Sequence, residues 1–209
     1  MSDGIRWLID AGDRWMDCVT FARGISPEEL AIRLGAKPGS SAPLLTASEA
    51  WDLAHGWDSV IVRVGSSDGW SFAVESGLPQ SADVLEELSR GGVEIVRLDP
   101  QPDHPPMQFA YLRDGAPVCS FGITEEGIRW GHDPDFLLPD LIRTGVLCAD
   151  GERLHDDGMD YAAEKRRTFG VLEHRFGLSL PRKQVEEVRL PAYALYESPG
   201  FVWPPPERS

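Results

Sequence analysis

An α+β fold on a mainly antiparallel sheet is what this sequence predicts, with helices packed on one face and a helical C-terminal third. Two stretches read as β-hairpins, GWDSVIVRVGSSDGWSFAVES (56–76) and MQFAYLRDGAPVCSFGI (107–123). Helix signatures with their own start and stop residues stand before, between and after them. Hairpins join neighbouring strands antiparallel, and such a succession gives an α+β architecture.

Taken in order, CVTFARG (18–24) is the first strand. In SPEELAIRLG, Ser26 caps a helix, Pro27 suits its first position, Glu29 completes a capping box and Gly35 ends it. TASEAWDLAHG repeats the device with Thr46, Glu49 and Gly56. In 56–76 the apolar residues fall on even positions, Val60, Val62 and Val64, then Trp70, Phe72 and Val74. A turn of about five residues, Gly65 to Gly69, sets both runs on one buried face. Ser59, Ile61, Arg63, Ser71, Ala73 and Glu75 then line the opposite face, so Arg63 and Glu75 are expected to share it.

LPQSADVLEELSRGG (78–92) is a helix with Val84, Leu85 and Leu88 as its apolar stripe. VEIVRL (93–98) is a strand and DPQPDHPP a proline-rich connection. Asp114-Gly115 is the type I′ signal of a two-residue hairpin, and IRWG (128–131) a short strand. A helix is expected from near Asp133, kinked or restarted by Pro139. DDGMDYAAEKRRTFGVLEHRFG is a long helix burying Ala162, Phe169, Leu172 and Phe176, with Lys165, Arg166 and Arg167 on its wet side. Pro181 starts a further short helix. Residues 1–195 form a single domain on this reading, and 196–209 a Pro-rich extended tail.

Composition bounds the function. The chain has 209 residues, 42% of them hydrophobic, enough for one core. No run approaches the roughly 18 apolar residues of a membrane helix. The N-terminal stretch lacks the basic region of a signal peptide. Three cysteines at unrelated spacings (Cys18, Cys119, Cys148) fit a reducing cytoplasm. The net charge is −14, and residues 51–150 carry −11 of it. That field repels phosphate backbones and attracts cationic partners, so neither nucleic acid nor membrane is expected as a partner.

Reactive motifs are lacking. There is no nucleophile elbow, no phosphate-binding glycine loop and no CxxC or HExxH spacing, so no cofactor and no catalytic residue is expected. Cys119 reads as a core or half-buried thiol. His132, Asp133 and Asp135 are weak candidates for a metal, reinforced only if folding brings up His155, Asp156, Asp157 and Asp160. Asp133 and Asp157 as helix caps account for both clusters without one.

CVTFARGISPEELAIRLGA, WDSVIVRVGSSDGWSFAVES, FAYLRDGAPVCSFGI with HDPDFLLPDLIRTGVL, and AAEKRRTFGVLEHRFGLSLP occur in this order. Through these blocks, spanning roughly residues 13–195, the chain resembles a family of bacterial proteins with a domain of unknown function. The resemblance implies one bacterial intracellular domain and supplies no activity.

Seven tryptophans are many for this length. Trp57, Trp70 and Trp130, with Glu125 and Glu126, are the expected elements of a partner surface, since aromatic residues concentrate in binding hot spots. The leading expectation is a non-enzymatic, cytoplasmic protein-binding domain that engages a basic protein, for example as an immunity or antitoxin-like neutraliser. The alternative is a small-molecule-binding domain or enzyme with a pocket around Arg63 and Glu75.

Overall fold

The computed structural model describes residues 3–10, 17–40, 42–54, 59–77, 82–101, 104–152, 160–197 and 201–203. Among these, nine strands form one sheet: β1 (Cys18–Arg23), β2 (Leu44–Leu45), β3 (Val60–Ser67), β4 (Trp70–Ser76), β5 (Glu94–Asp99), β6 (Gln108–Arg113), β7 (Ala116–Gly122), β8 (Arg129–Trp130) and β9 (Leu190–Tyr196). Their order is β2-β9-β3-β4-β1-β5-β6-β7-β8, and every pairing is antiparallel. The helices are α1 (Trp7–Asp10), α2 (Pro27–Arg33), α3 (Ala47–Ala54), α4 (Ala82–Leu88), α5 (Leu138–Arg143), α6 (Tyr161–Phe176) and α7 (Arg182–Glu186). The α+β class and the antiparallel sheet are as expected.

Local signals place several elements. Thr46 and Glu49 form the full reciprocal box at α3, with Thr46 N donating to Glu49 Oε2 at 2.8 Å and Glu49 N to Thr46 Oγ1 at 3.3 Å. At α2 only half the box closes. Glu29 N donates to Ser26 Oγ, while the Glu29 carboxylate turns forward to Arg33 at 2.8 Å. Asp160 caps α6 by accepting from Ala162 N and Ala163 N, and Gly177 ends it in the left-handed conformation. Asp114-Gly115 makes the expected tight turn, with φ of 52° and 83°.

The β3–β4 hairpin departs from expectation. Its turn is Asp68-Gly69, with φ of 47° and 82°, and β3 runs on to Ser67. A two-residue turn in place of five shifts the register by three residues, an odd number, and so flips one strand's faces relative to the other. Arg63 therefore lies opposite Val74, Gly65 opposite Phe72 and Ser67 opposite Trp70, whereas Val62 pairs with Glu75 and Val64 with Ala73. Paired residues share a face, so Arg63 and Glu75 point to opposite sides of the sheet.

Both sides are covered, which corrects the expectation of helices on one face. Val62, Val64 and Ala73 pack with Leu30, Ala31 and Leu34 of α2 and Leu85 and Leu88 of α4. Phe21, Phe72, Val74, Phe109 and Phe121 on the reverse face form a larger core with α1, α5, α6 and α7. Val19, Phe21 and Phe72 belong to this second core while Thr20 and Ala73 face the first. The C-terminal third is also less helical than expected, because its last element is β9, inserted between β2 and β3. Phe201 and Trp203 beyond it pack on the small cluster of Leu45, Ala50, Ala54, Ile61 and Ala192.

Gly65 is where this hairpin demands a glycine. A Cβ there would lie 2.5 Å from the tip of the buried Phe72 ring. Gly65→Ala is expected to destabilise by about 1–3 kcal/mol, the usual penalty for overpacking a core, read from the urea midpoint.

Candidate functional site

Two places stand out: a double layer of buried polar groups around β1, β3, β4 and β5, and an exposed apolar edge at β8. In the first, both Arg63 and Glu75 are 0% exposed, so neither lies on an outer face in water. On the α2/α4 side, Glu75 Oε1 accepts from Arg97 Nη1 at 2.8 Å and from Thr20 Oγ1 at 3.1 Å, and Arg97 Nη1 also reaches Thr20 Oγ1. Register dictates this triad, because Thr20 pairs with Ala73 on one side and Arg97 on the other, with Glu75 one pleat along. Burial alone would weaken the Arg97 cation, but Cys18, Glu75 and Asp99 outweigh it and raise its pKa. Cys18 donates to the Leu98 carbonyl at 3.2 Å, and burial holds its thiol protonated far above the ordinary range. A protonated, buried thiol is no nucleophile.

On the α6/α7 side, Arg63 Nη1 donates to the Val185 carbonyl at 2.8 Å. Desolvation lowers the Arg63 pKa, and Asp17 opposes that fall. Asp17 stands just before β1 and is half-buried overall, with Oδ1 sealed from solvent. Burial lifts its carboxyl from 3.8 to about 6, against the pull of Ser76 and Arg63 and with a smaller push from Glu75. An acid raised on folding keeps its proton in the folded state when the unfolded chain has lost it. Its stabilisation is complete below pH 3.8 and is lost as pH climbs through about 6. Asp17→Asn is therefore expected to flatten the loss of stability between pH 4 and 6 and to exceed wild type above it, by up to about 3 kcal/mol. Urea titrations at stepped pH measure this, and parallel wild-type and mutant curves would refute it.

The second place is built by the turn after β7. Thr124 N and Thr168 Oγ1 both donate to Glu126 Oε1, at 2.9 and 2.6 Å, so Glu126 ties this turn to α6. Burial raises the Glu126 pKa despite those bonds. Arg129 turns inward to the Glu126 and Gly151 carbonyls and to Asp135, at 2.7, 3.4 and 3.0 Å. Alternation then turns its neighbours outward: Ile128 is 70% and Trp130 48% exposed, in a stretch that also exposes Glu125, Asp133 and Asp135.

The expected partner residues thus separate. Trp130 and Glu125 lie on the surface together. Trp70, 1% exposed, is core, with its Nε1 donating to the Phe176 carbonyl at 3.0 Å, and Glu126 is equally buried. Trp57 lies outside the described residues, as do His155, Asp156 and Asp157. His132 Nδ1 sits 2.9 Å from the Pro117 carbonyl and Asp135 serves Arg129. Asp133 is exposed, and no group of three or more His, Cys, Asp or Glu among the described residues is placed to hold a metal. Sequence reasoning missed Asp17, Ser76, Arg97 and Ile128. The one available signal was the central position of VEIVRL, whose Arg97 is buried while charges at the ends of the central strands, Arg23 and Glu94, reach solvent.

No described helix is long and apolar enough to cross a membrane. The fold and its paired sites define an α+β domain with charge sealed inside the sheet and an open edge. The chain belongs to the family described as a family of unknown function (DUF6461), whose model matches residues 6–189. No curated protein and no solved structure matches it.

Proposed function

We propose that this protein is a non-enzymatic binding domain that engages a partner with a basic and partly apolar surface. The observation that carries the reading is the β8 edge, where Ile128 and Trp130 stand in water beside Glu125, Asp133 and Asp135. Large apolar groups cost free energy in water unless a partner covers them, and tryptophan with a ring of charge is the composition of a hot spot. The net charge of −14 steers cationic proteins toward such a surface. Neutralisation of a toxin in the cytoplasm, in the manner of an immunity protein or antitoxin, is the cellular role that fits.

The test is calorimetric titration of the protein with toxins encoded beside its gene, at rising salt. The expected result is an affinity that falls with salt and drops by at least about 30-fold in Trp130→Ala, a hot-spot loss of 2 kcal/mol or more. An affinity indifferent to both salt and Trp130 would refute the reading.

A further inference from the structure

At β8 the ordinary sorting of side chains is reversed. Arg129 turns in, its side chain 12% exposed, while Ile128 and Trp130 on either side stand out in water. Withdrawing a guanidinium and wetting two large apolar groups both cost free energy. A slip of one residue would exchange the faces and relieve both costs. Pairing supplies part of the resistance: Arg129 lies opposite Phe121, on the face of the larger core, and Trp130 opposite Ser120. Yet this strand is only two residues long, too short to fix its register alone.

Glu126 supplies the rest. Its carbonyl accepts from Arg129 Nη1 at 2.7 Å, and its Oε1 accepts from Thr168 Oγ1 of α6 at 2.6 Å and from Thr124 N at 2.9 Å. One residue thus fastens β8 to the inside of the turn and the turn to a helix 42 positions away in the chain. Thr124 shows how firmly the turn is held: it is β-branched and buried, yet its φ is 81°, in the left-handed region. Branched side chains keep that conformation only where their surroundings over-determine it, and such places gather at binding clamps.

We propose that Glu126 and Arg129 are positioning residues of the partner surface, which fix β8 in the register that presents Ile128 and Trp130 to a basic, partly apolar protein. This role rests on the reading of that edge as the binding site and adds what keeps it open before a partner arrives. A surface already in its bound form loses less side-chain freedom on association. Neither residue has to touch the partner. Glu126 is fully buried, and Arg129 directs its donors to the Glu126 and Gly151 carbonyls and to Asp135.

The experiment follows the Trp130 indole N–H resonance of the full chain, identified by its disappearance in Trp130→Phe, as a soluble paramagnetic agent is added. Strong relaxation is expected in the wild type and in Glu126→Gln, whose side-chain carbonyl still accepts both bonds. Arg129→Ala and Thr168→Val are expected to weaken it at least about twofold, because β8 is then free to slip and draw the indole under cover. Melting temperatures taken alongside separate this from a merely structural role, which would lower stability and leave the indole as exposed as before. Equal relaxation in folded Arg129→Ala and Thr168→Val would overturn the proposal. So would rapid hydrogen exchange of the wild-type Thr124 amide, which its bond to Glu126 should protect, and that result needs no variant to fold. Binding is read separately with toxins encoded beside the gene, where Thr168→Val should bind about 2- to 10-fold more weakly and Glu126→Gln as wild type. An affinity indifferent to Trp130→Ala would sink the reading of the edge itself and the partner role with it. That failure is told apart from the others because the indole measurement uses no partner.

Discussion

Arg97→Met is expected to cost about 3–5 kcal/mol, lowering the melting temperature by roughly 6–20 °C, because it leaves the Glu75 carboxylate buried without its cation. Glu75→Met should cost a similar amount by stranding Arg97. Both side chains are almost wholly sealed, at 0% and 4% exposure, and the ion pair spans 2.8 Å. The double substitution is expected to recover most of the loss, since an apolar pair of like volume carries no desolvation penalty. Thr20 Oγ1 then lacks these two buried partners, at about 1 kcal/mol. Urea denaturation of all four proteins closes the cycle. Two additive single effects, with no recovery in the double variant, would show that the groups are not coupled.

Trp70→Ala and Trp130→Ala should behave as opposites. Trp70 packs edge-on against Phe21 at 6.5 Å, carries the Arg23 guanidinium over its ring at 4.2 Å and donates to the Phe176 carbonyl. Removing it empties the join between β4 and the end of α6, at about 3–5 kcal/mol. Trp130, half in water on a two-residue strand, should change stability by no more than about 0.5 kcal/mol. Its loss is expected in partner affinity instead. A large stability loss in Trp130→Ala would move that residue from the surface role to the scaffold.

What could be read from the residues depended on whether the signal was local. Thr46 with Glu49, Asp114 with Gly115, and Pro139 at the start of α5 each act within a few residues, and each appears where expected. The β3–β4 register was not legible, because alternation fixes register only when one face is wet, and every residue of β4 is buried. With both faces dry, the turn alone decides, and the Asp68-Gly69 signal was lost inside a longer apparent loop. β9 was hidden by Pro191, which usually argues against a strand. Here Ala192 N donates to the Pro43 carbonyl on the β2 side, so the proline nitrogen points to the β3 side, beyond the last pair of that ladder, Arg63 with Ala192, where a missing donor matters least. Of the site, Arg63 and Trp130 were legible as residues to watch. Their surroundings were not, since Asp17, Ser76 and Val185 join Arg63 across 168 positions of chain.

The last-made strand has a consequence for biosynthesis. Because β9 fills the gap between β2 and β3, a chain emerging from the ribosome exposes the margin of β3 until residues 190–196 are free. Val60, Ile61 and Val62 then present unpaired backbone to any neighbouring nascent chain, a ready template for misassembly. Completion of the sheet thereby waits on residues 190–196, and a stalled or clipped product that stops at residue 189 should collect in inclusion bodies where the chain that includes them does not.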